Sequence, residues 1–140
     1  MAHFAKMNFG KEKEYRILDI DYELTKTVGS NGQVMGYPQC GAIRMTLVYP
    51  DNEDMFLYLW MKNTTEHKDG DIEIQIVYDG KTSSKTLKFE SAQCTYLREN
   101  FNFYSDSPLT ATITIIAKKV TFGGKKSNSE SNEEVLFENF

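Results

Sequence analysis

The fold of this chain is decided by residues 14–63, which read EYRILDIDYELTKTVGSNGQVMGYPQCGAIRMTLVYPDNEDMFLYLWMKN. In residues 14–26, apolar side chains alternate with acidic ones. The apolar set is Leu18, Ile20, Tyr22 and Leu24, and the acidic set is Asp19, Asp21 and Glu23. Alternation with a period of two is typical of a β-strand with one buried face. Residues 40–49 alternate in the same way and predict another strand.

A glycine-rich segment, residues 27–39, joins these two strands. It is too long for a tight hairpin, and loops of this length without structure of their own are usually functional or disordered. Val34, Met35 and Tyr37 are unusually apolar for a free loop. We therefore expect the loop to dock on another surface.

An unbroken apolar run, Met55–Met61, follows the second of these strands. Periodicity alone leaves a buried strand open as an alternative. We predict a helix over residues 51–63, because Asp51 or Asn52 can cap it and the two acidic residues that follow favour its first turn. Its later residues are also good helix formers.

The rest of the chain adds further alternating segments, a turn at residues 79–81 and a bulge near residues 91–92. The predicted strands are residues 3–9, 71–79, 85–90, 91–103 and 109–122. The predicted fold class is mainly β: a small antiparallel β-barrel or sandwich with one short α-helix. Residues 1–124 form the barrel domain, and residues 125–140 form a polar linker with an apolar C-terminal tail.

Composition excludes several classes of protein. A net charge of −4, with scattered basic residues, argues against nucleic-acid binding. No apolar run approaches the roughly 18 residues that a membrane-spanning helix needs, so no membrane insertion is predicted. The N-terminus lacks the apolar core of a signal peptide. We expect folding in the cytoplasm, two reduced thiols at Cys40 and Cys94, and any export by a route without a cleaved signal.

The sequence offers no chemical site. His3 and His67 are far apart with no cysteine near either, so no metal site is predicted. The glycine-rich loop lacks the Gly-Lys-Ser/Thr sequence of a phosphate-binding loop. Asp19, Asp21 and Glu23 could be paired catalytic carboxylates, but the solvated face of a strand is the simpler interpretation. We predict no catalytic residue, no cofactor and no enzymatic activity.

Apolar surface without a chemical site favours a protein that assembles with copies of itself. Leaving Phe56 or Trp60 exposed would forgo roughly 2–3 kcal/mol each, so either the subunit itself or a neighbour should cover them. The loop, the helix and the apolar tail are the predicted contact surfaces. The subunit-interface candidates are Val34, Met35, Tyr37, Phe56, Trp60, Leu136, Phe137 and Phe140.

Four pieces of the sequence, in their order and spacing, resemble the tube-forming proteins of the type VI secretion system, the Hcp (TssD) family. Within it, the resemblance is closest to the branch found in Bacteroides-type bacteria, and it covers about residues 1–124. The four pieces are KEYRIL at 13–18, the glycine-rich loop that ends in Tyr37–Pro38 before Gly41, the acidic start and LYLWM of the helix at 57–61, and the strand at 111–120 running into TFGG at 121–124.

The resemblance implies a β-barrel with a flanking helix that assembles into a hexameric ring. Rings stack into a hollow tube inside a contractile sheath, and contraction drives the tube with its spike protein into a neighbouring cell. The resemblance also implies that the lumen can hold effector proteins. A closed ring and stacked rings require several distinct contact surfaces on one chain.

Two alternatives stay open at this point. A phage-type tail tube protein shares the same architecture. A small-ligand carrier of the lipocalin kind also has alternating strands and one helix, and its barrel encloses a ligand. The strands here do not form eight even up-and-down runs, which argues against the carrier.

Overall fold

The structure, a computed structural model, describes residues 3–10, 13–51, 53–126 and 133–139. These residues form nine β-strands and one α-helix. In chain order they are β1 (Phe4–Phe9), β2 (Lys13–Asp21), β3 (Leu24–Val28), β4 (Val34–Cys40), β5 (Ile43–Val48), α1 (Phe56–Lys62), β6 (Lys68–Tyr78), β7 (Lys81–Phe101), β8 (Leu109–Lys126) and β9 (Glu133–Glu138).

Six strands close into an antiparallel barrel. The sheet runs in the order β5-β2-β1-β6-β7-β8, and pairing of β5 with β8 joins its two ends. β9 adds to β8 beyond β5, and β3 pairs with β4 as a separate hairpin. The predicted fold class, a mainly β protein with a small antiparallel barrel and one short helix, is confirmed.

Inward-facing side chains from all six barrel strands fill the interior. Met7, Tyr15, Leu47, Leu87 and Ile113 are almost completely buried there. Together with Leu57 and Trp60 of α1 they belong to one contiguous core. An interior packed with these buried side chains argues against the small-ligand carrier.

The helix is shorter than predicted. It begins after Met55, and no side chain caps its N-terminus. Asp51 instead accepts a hydrogen bond from the amide of Glu53 at 2.9 Å, which turns the chain before the helix starts. Because Asp54 is turned into the protein and held there by other partners, the acidic residues do not form the first turn. The predicted start at residue 51 was therefore wrong, while the C-cap at Asn63 agrees with the predicted end.

The predicted glycine-rich loop is largely a hairpin. β3 and β4 pair from Leu24↔Cys40 to Val28↔Val34, and the turn is closed by the amide of Gly29, which donates to the carbonyl of Gln33 at 2.7 Å. The prediction of an unstructured loop was wrong because propensity does not count the ladder that two irregular strands form together. The register shifts between Thr25 and Thr27, opposite Gly36, whose φ is 77°.

The long predicted strand at 14–26 divides in two. β2 ends at Asp21, and the chain turns at residues 22–23 to enter the hairpin. The β2–β5 register also shifts between Ile17 and Asp19. Before this shift, Tyr15 and Ile17 face the core. Leu18 and Leu24 are exposed. A period-two pattern cannot survive a bulge, which moves later side chains to the opposite face.

The longest pair of strands, β7 and β8, continues from the barrel into an extension. Two predictions about β6 and β7 are confirmed: the turn at residues 79–81 and the bulge near residues 91–92. Asp79 and Gly80 form the β6–β7 turn with positive φ values of 50° and 73°. The β6–β7 register shifts between Lys68 and Gly70, at the level of Ser91, whose φ is 53°.

Candidate functional site: the assembly surfaces

The described residues hold no group of three or more side chains with the composition of a metal site. Asp19, Asp21 and Glu23 are all exposed, as expected for a solvated strand face. Cys40 and Cys94 are free and buried, and burial raises the pKa of both thiols, which disfavours the reactive thiolate. Contact surfaces are therefore the features to examine.

The β3–β4 hairpin is the first of these surfaces. Val34 is 60% exposed and Tyr37 is 80% exposed, and every residue of β3 is exposed as well. The hairpin therefore carries exposed apolar surface on both sides of the irregularity at Gly36. One contact at the base of the hairpin is made by Gly41, whose amide donates to the carbonyl of Glu23 at 3.0 Å. For Met35, the third candidate here, the described structure gives only a place on β4.

The helix presents a different face from the one predicted. Trp60 is 1% exposed and donates from Nε1 to the carbonyl of Ala92 at 3.2 Å. Phe56 is half-buried, with its ring 4.8 Å from that of Phe9 and the Lys68 ammonium 4.6 Å from its centroid. Both aromatic side chains are covered within one subunit, so the structure removes Trp60 from the interface candidates and leaves Phe56 only a partial edge.

Leu57 and Trp60 face the core. The exposed apolar side of α1 therefore consists of other side chains, in the helix and just before it. These are Met55, Tyr58, Leu59 and Met61. Leu59 is 66% exposed and borders a shallow groove with Met55, Lys13 and Asp51. The apolar run in the sequence corresponds to apolar side chains exposed on the helix, although the helix register exposes other side chains than the predicted ones.

Glu99 at the end of β7 holds this exposed side in place. Its carboxylate accepts hydrogen bonds from the hydroxyls of Tyr49, at 2.5 Å, and Tyr58. Desolvation and the bond to Glu99 strongly raise the pKa of Tyr49. The cluster ties α1 to β7 and to the end of β5, so the helix surface is a fixed part of the barrel.

A further apolar surface was missed by the sequence analysis. Phe101 ends β7, and Phe103 and Tyr104 follow in the β7–β8 loop, where Tyr104 is 92% exposed. Two contacts order the loop internally. The Asn102 amide donates to the carbonyl of Pro108 at 2.7 Å, and the rings of Phe103 and Tyr104 lie edge to face with their centroids 5.3 Å apart. The signal was present as FNFY at residues 101–104, but it read as the end of a strand.

The C-terminal candidates fall in three places. Leu136 is exposed on β9, whereas Phe137 is half-buried against the ring of Phe122 at 5.5 Å. Phe140 lies outside the described residues. β9 pairs with β8 from Lys119↔Glu138 to Gly124↔Glu133, so this part of the tail adds a strand to the sheet.

Comparison with known proteins gives one family match and a consistent set of structures. A family model described as hemolysin coregulated protein Hcp (TssD) matches residues 1–130. Hcp1 from Flavobacterium johnsoniae is 27% identical, covers 90% of this chain and 99% of its own, and superposes with a TM-score of 0.68. Among curated protein sequences, no significant match was found.

More distant structures agree in fold. A structure described as a type six secretion system protein is 13% identical, covers 95% of this chain and 94% of its own, and has a TM-score of 0.70. Hcp1 from Salmonella typhimurium is 8% identical, covers 99% and 95% of the two chains, and has a TM-score of 0.65. Within the described residues, no helix is long and apolar enough to cross a membrane.

Proposed function

We infer the working assembly from a premise that the family match establishes: this chain belongs to the Hcp (TssD) family and is a tube subunit of a type VI secretion system. We propose that copies of it close into hexameric rings. The rings stack into a hollow tube that lies inside a contractile sheath and carries a spike protein at its tip. The subunit works by shape and contact, without a catalytic step.

The observation that carries this proposal is apolar side chains left exposed on separate faces of a closed, filled barrel. The hairpin, the outer side of α1 and the β7–β8 loop each present them. A ring needs a heterologous contact that closes, and stacking needs a second contact that does not. A subunit with several separated contact surfaces satisfies both requirements.

The size of the effect is sufficient for assembly. Covering an apolar side chain the size of Val34 or Leu59 contributes roughly 1.5–3 kcal/mol. Several such contacts per subunit, repeated around a ring, offset the loss of translational and rotational freedom on association. The projecting hairpin, with Val34, Met35 and Tyr37, is the contact that we assign to a neighbouring subunit.

The fate of the assembled tube follows from the family. Hcp proteins are secreted through the type VI machinery, and we propose that this chain leaves the cell within the tube and without cleavage of a signal peptide. We also propose that the lumen holds effector proteins during export. We expect the subunit to need no cofactor, because its proposed work is mechanical.

Light scattering coupled to size-exclusion chromatography, followed by negative-stain electron microscopy, tests the proposal. We expect a mass of six subunits, or a multiple of it, and rings with an open centre. A monodisperse monomer at tens of micromolar protein, with no rings on the grid, would contradict the proposed assembly. A repeat at higher protein concentration and without cooling is the most permissive condition before that result is accepted, because apolar association weakens as the temperature falls.

A further inference from the structure

Asn139 connects three separate parts of the fold with its backbone and side chain. Its Nδ2 donates to the carbonyl of Ala117 at 2.9 Å, and its backbone amide donates to the carbonyl of Lys118 at 2.6 Å. Its Oδ1 accepts from the amide of Cys40 at 3.0 Å. Cys40 is the last residue of β4, so this side chain joins the base of the hairpin to β8.

The position of Asn139 explains why these partners are available. Along one edge of β8, pairing with β5 ends at Ile115 and pairing with β9 begins at Lys119. On this edge, neither β5 nor β9 lies beside the carbonyls of residues 116–118. Buried backbone groups need partners, and a side-chain amide can both donate and accept. Asn139 therefore fills the gap between β5 and β9.

Aromatic side chains reinforce the same junction. Phe137 of β9 packs edge to face on Phe122 of β8 at 5.5 Å, and Phe122 packs on Tyr22 at 5.3 Å. Tyr22 lies in the short turn that leads from β2 into β3. The C-terminal segment thus reaches both sides of the hairpin base: Cys40 directly through a hydrogen bond, and Tyr22 through the intervening ring of Phe122.

We propose that residues 133–139 act as a strap that fixes the direction in which the β3–β4 hairpin projects, with Asn139 as its positioning residue. Beyond its base, the hairpin is held mainly by its own two strands, so its direction depends on these base contacts. The strap lies beyond residues 1–130, the range of the family match.

This inference rests on the proposed function, because a fixed hairpin matters for contact with a second copy of the chain. A surface that is already ordered in its bound direction loses less conformational freedom on association. Releasing the strap is expected to weaken assembly without unfolding the barrel, because most of the buried core lies on strands that Asn139 does not touch. Asn139 does not itself need to touch the neighbouring copy.

The direct test measures hairpin direction. Spin labels are placed on Ser30→Cys at the exposed tip and Lys88→Cys on β7, where strands flank the residue on both sides. Labelled full-length protein is diluted into an excess of unlabelled protein, so that only distances within one subunit are read. We expect the width of the distance distribution to increase at least two-fold in Asn139→Ala, and to stay unchanged in the matched control Glu138→Ala, whose side chain is exposed on the same strand.

The second readout is assembly, measured by light scattering on the unlabelled variants. Asn139→Ala is expected to assemble at least ten-fold more weakly than the wild type and the Glu138→Ala control, with a cooperative unfolding transition retained. If Asn139→Ala does not fold, Asn139→Asp replaces it, since it keeps an oxygen for the Cys40 amide and loses the donor to Ala117. An unchanged distance distribution in the folded variant would overturn the strap. If the wild type fails to assemble, the proposed function fails, while the distance measurement still decides the strap.

Discussion

Tyr15 donates its hydroxyl to Asp54 Oδ2 at 2.8 Å, joining a barrel strand to the segment that precedes α1. Both residues are buried, and the same carboxylate accepts from the amide of Phe56 at 2.8 Å through Oδ1. The Lys13 ammonium lies 3.4 Å from Oδ2. A buried carboxylate needs such partners, so this network fixes where the helix begins.

Replacing Tyr15 with Phe removes one of the partners of Asp54 and keeps the aromatic packing. We expect the free energy of unfolding to fall by about 1–3 kcal/mol, because a buried carboxylate loses a donor that water cannot replace. Chemical denaturation followed by circular dichroism measures the change. Tyr78→Phe, at an exposed position, is the control and should stay within about 0.5 kcal/mol of the wild type. Equal stability of the two variants would contradict the role assigned to the network.

The same hydroxyl predicts how stability depends on alkaline pH. Desolvation, and next the bond to Asp54, strongly raise the pKa of Tyr15, and desolvation and Glu99 do the same for Tyr49. In the unfolded chain both groups ionise near pH 10. Above that pH the unfolded state binds fewer protons than the folded state, so stability is present below about pH 10 and falls as the pH rises.

The slope that each of these tyrosines contributes should grow from near zero at pH 9 towards about 1.4 kcal/mol per pH unit near pH 11, as the phenol of the unfolded chain ionises. Urea unfolding between pH 9 and pH 11 measures the slope. Tyr15→Phe should reduce the slope by the contribution of one tyrosine. Tyr78→Phe provides the comparison at an exposed site. A wild type whose stability is flat over this range would show that the two hydroxyls ionise as easily in the folded protein as in water.

The sequence predicted the barrel and its helix because alternation of apolar and polar residues survives in β1, β5, β6 and the middle of β8. It failed where backbone irregularity intervenes. Tyr15 and Ile17 face inward and leave Leu18 outward, and a register shift after Ile17 then brings Ile20 to partial burial; no local pattern announces such a shift. The hairpin was missed because its strands have no buried face, so they carry no alternation to read.

The candidate surfaces were predicted in part for a related reason. An apolar run identifies a helix with more apolar surface than one face requires, but the register that selects Trp60 for the core and Leu59 for solvent depends on where the helix begins. That start is set by Asp54 and its contact with Tyr15, 39 positions earlier in the chain. A contact of such range is invisible to a window of neighbouring residues.

Gly70 is predicted to be required at its position in β6. A Cβ atom there would lie 2.7 Å from the carbonyl oxygen of Asn8 and 2.7 Å from Cζ of the buried Phe89 ring. Gly70→Ala should therefore lower the free energy of unfolding by about 1–3 kcal/mol, since neither the backbone nor a packed ring can move freely. Gly124→Ala is the matched control, because a Cβ at that position meets nothing within 4 Å. A control as destabilised as Gly70→Ala would indicate a general effect of strand glycines.

Replacing two neighbouring residues of α1 should affect two different properties, the stability of the subunit for Trp60 and its assembly for Leu59. Trp60→Ala is expected to lower the free energy of unfolding by about 3–5 kcal/mol, because it empties a buried site and leaves the Ala92 carbonyl without its donor. Leu59→Ala should change stability by less than about 0.5 kcal/mol and should weaken assembly if the outer side of α1 is a contact. Thermal unfolding and light scattering separate the two effects. If a folded Trp60→Ala variant assembled more weakly while Leu59→Ala assembled like the wild type, the outer side of α1 would not be the contact. The side of the helix that carries Trp60 would then be the interface.

The hairpin gives the sharpest test of assembly. Tyr37 is 80% exposed, so an aspartate at this position costs the isolated subunit little. If a neighbouring copy covers the ring, the same aspartate loses water and finds no partner, and we expect the dissociation constant to rise at least ten-fold, equivalent to about 1.4 kcal/mol. Tyr37→Phe keeps the apolar ring and is the matched control. Light scattering across a dilution series measures the constant, and thermal unfolding of the dissociated subunit confirms that the fold is intact. Assembly of Tyr37→Asp at wild-type strength would mean that this part of β4 stays in water inside the tube.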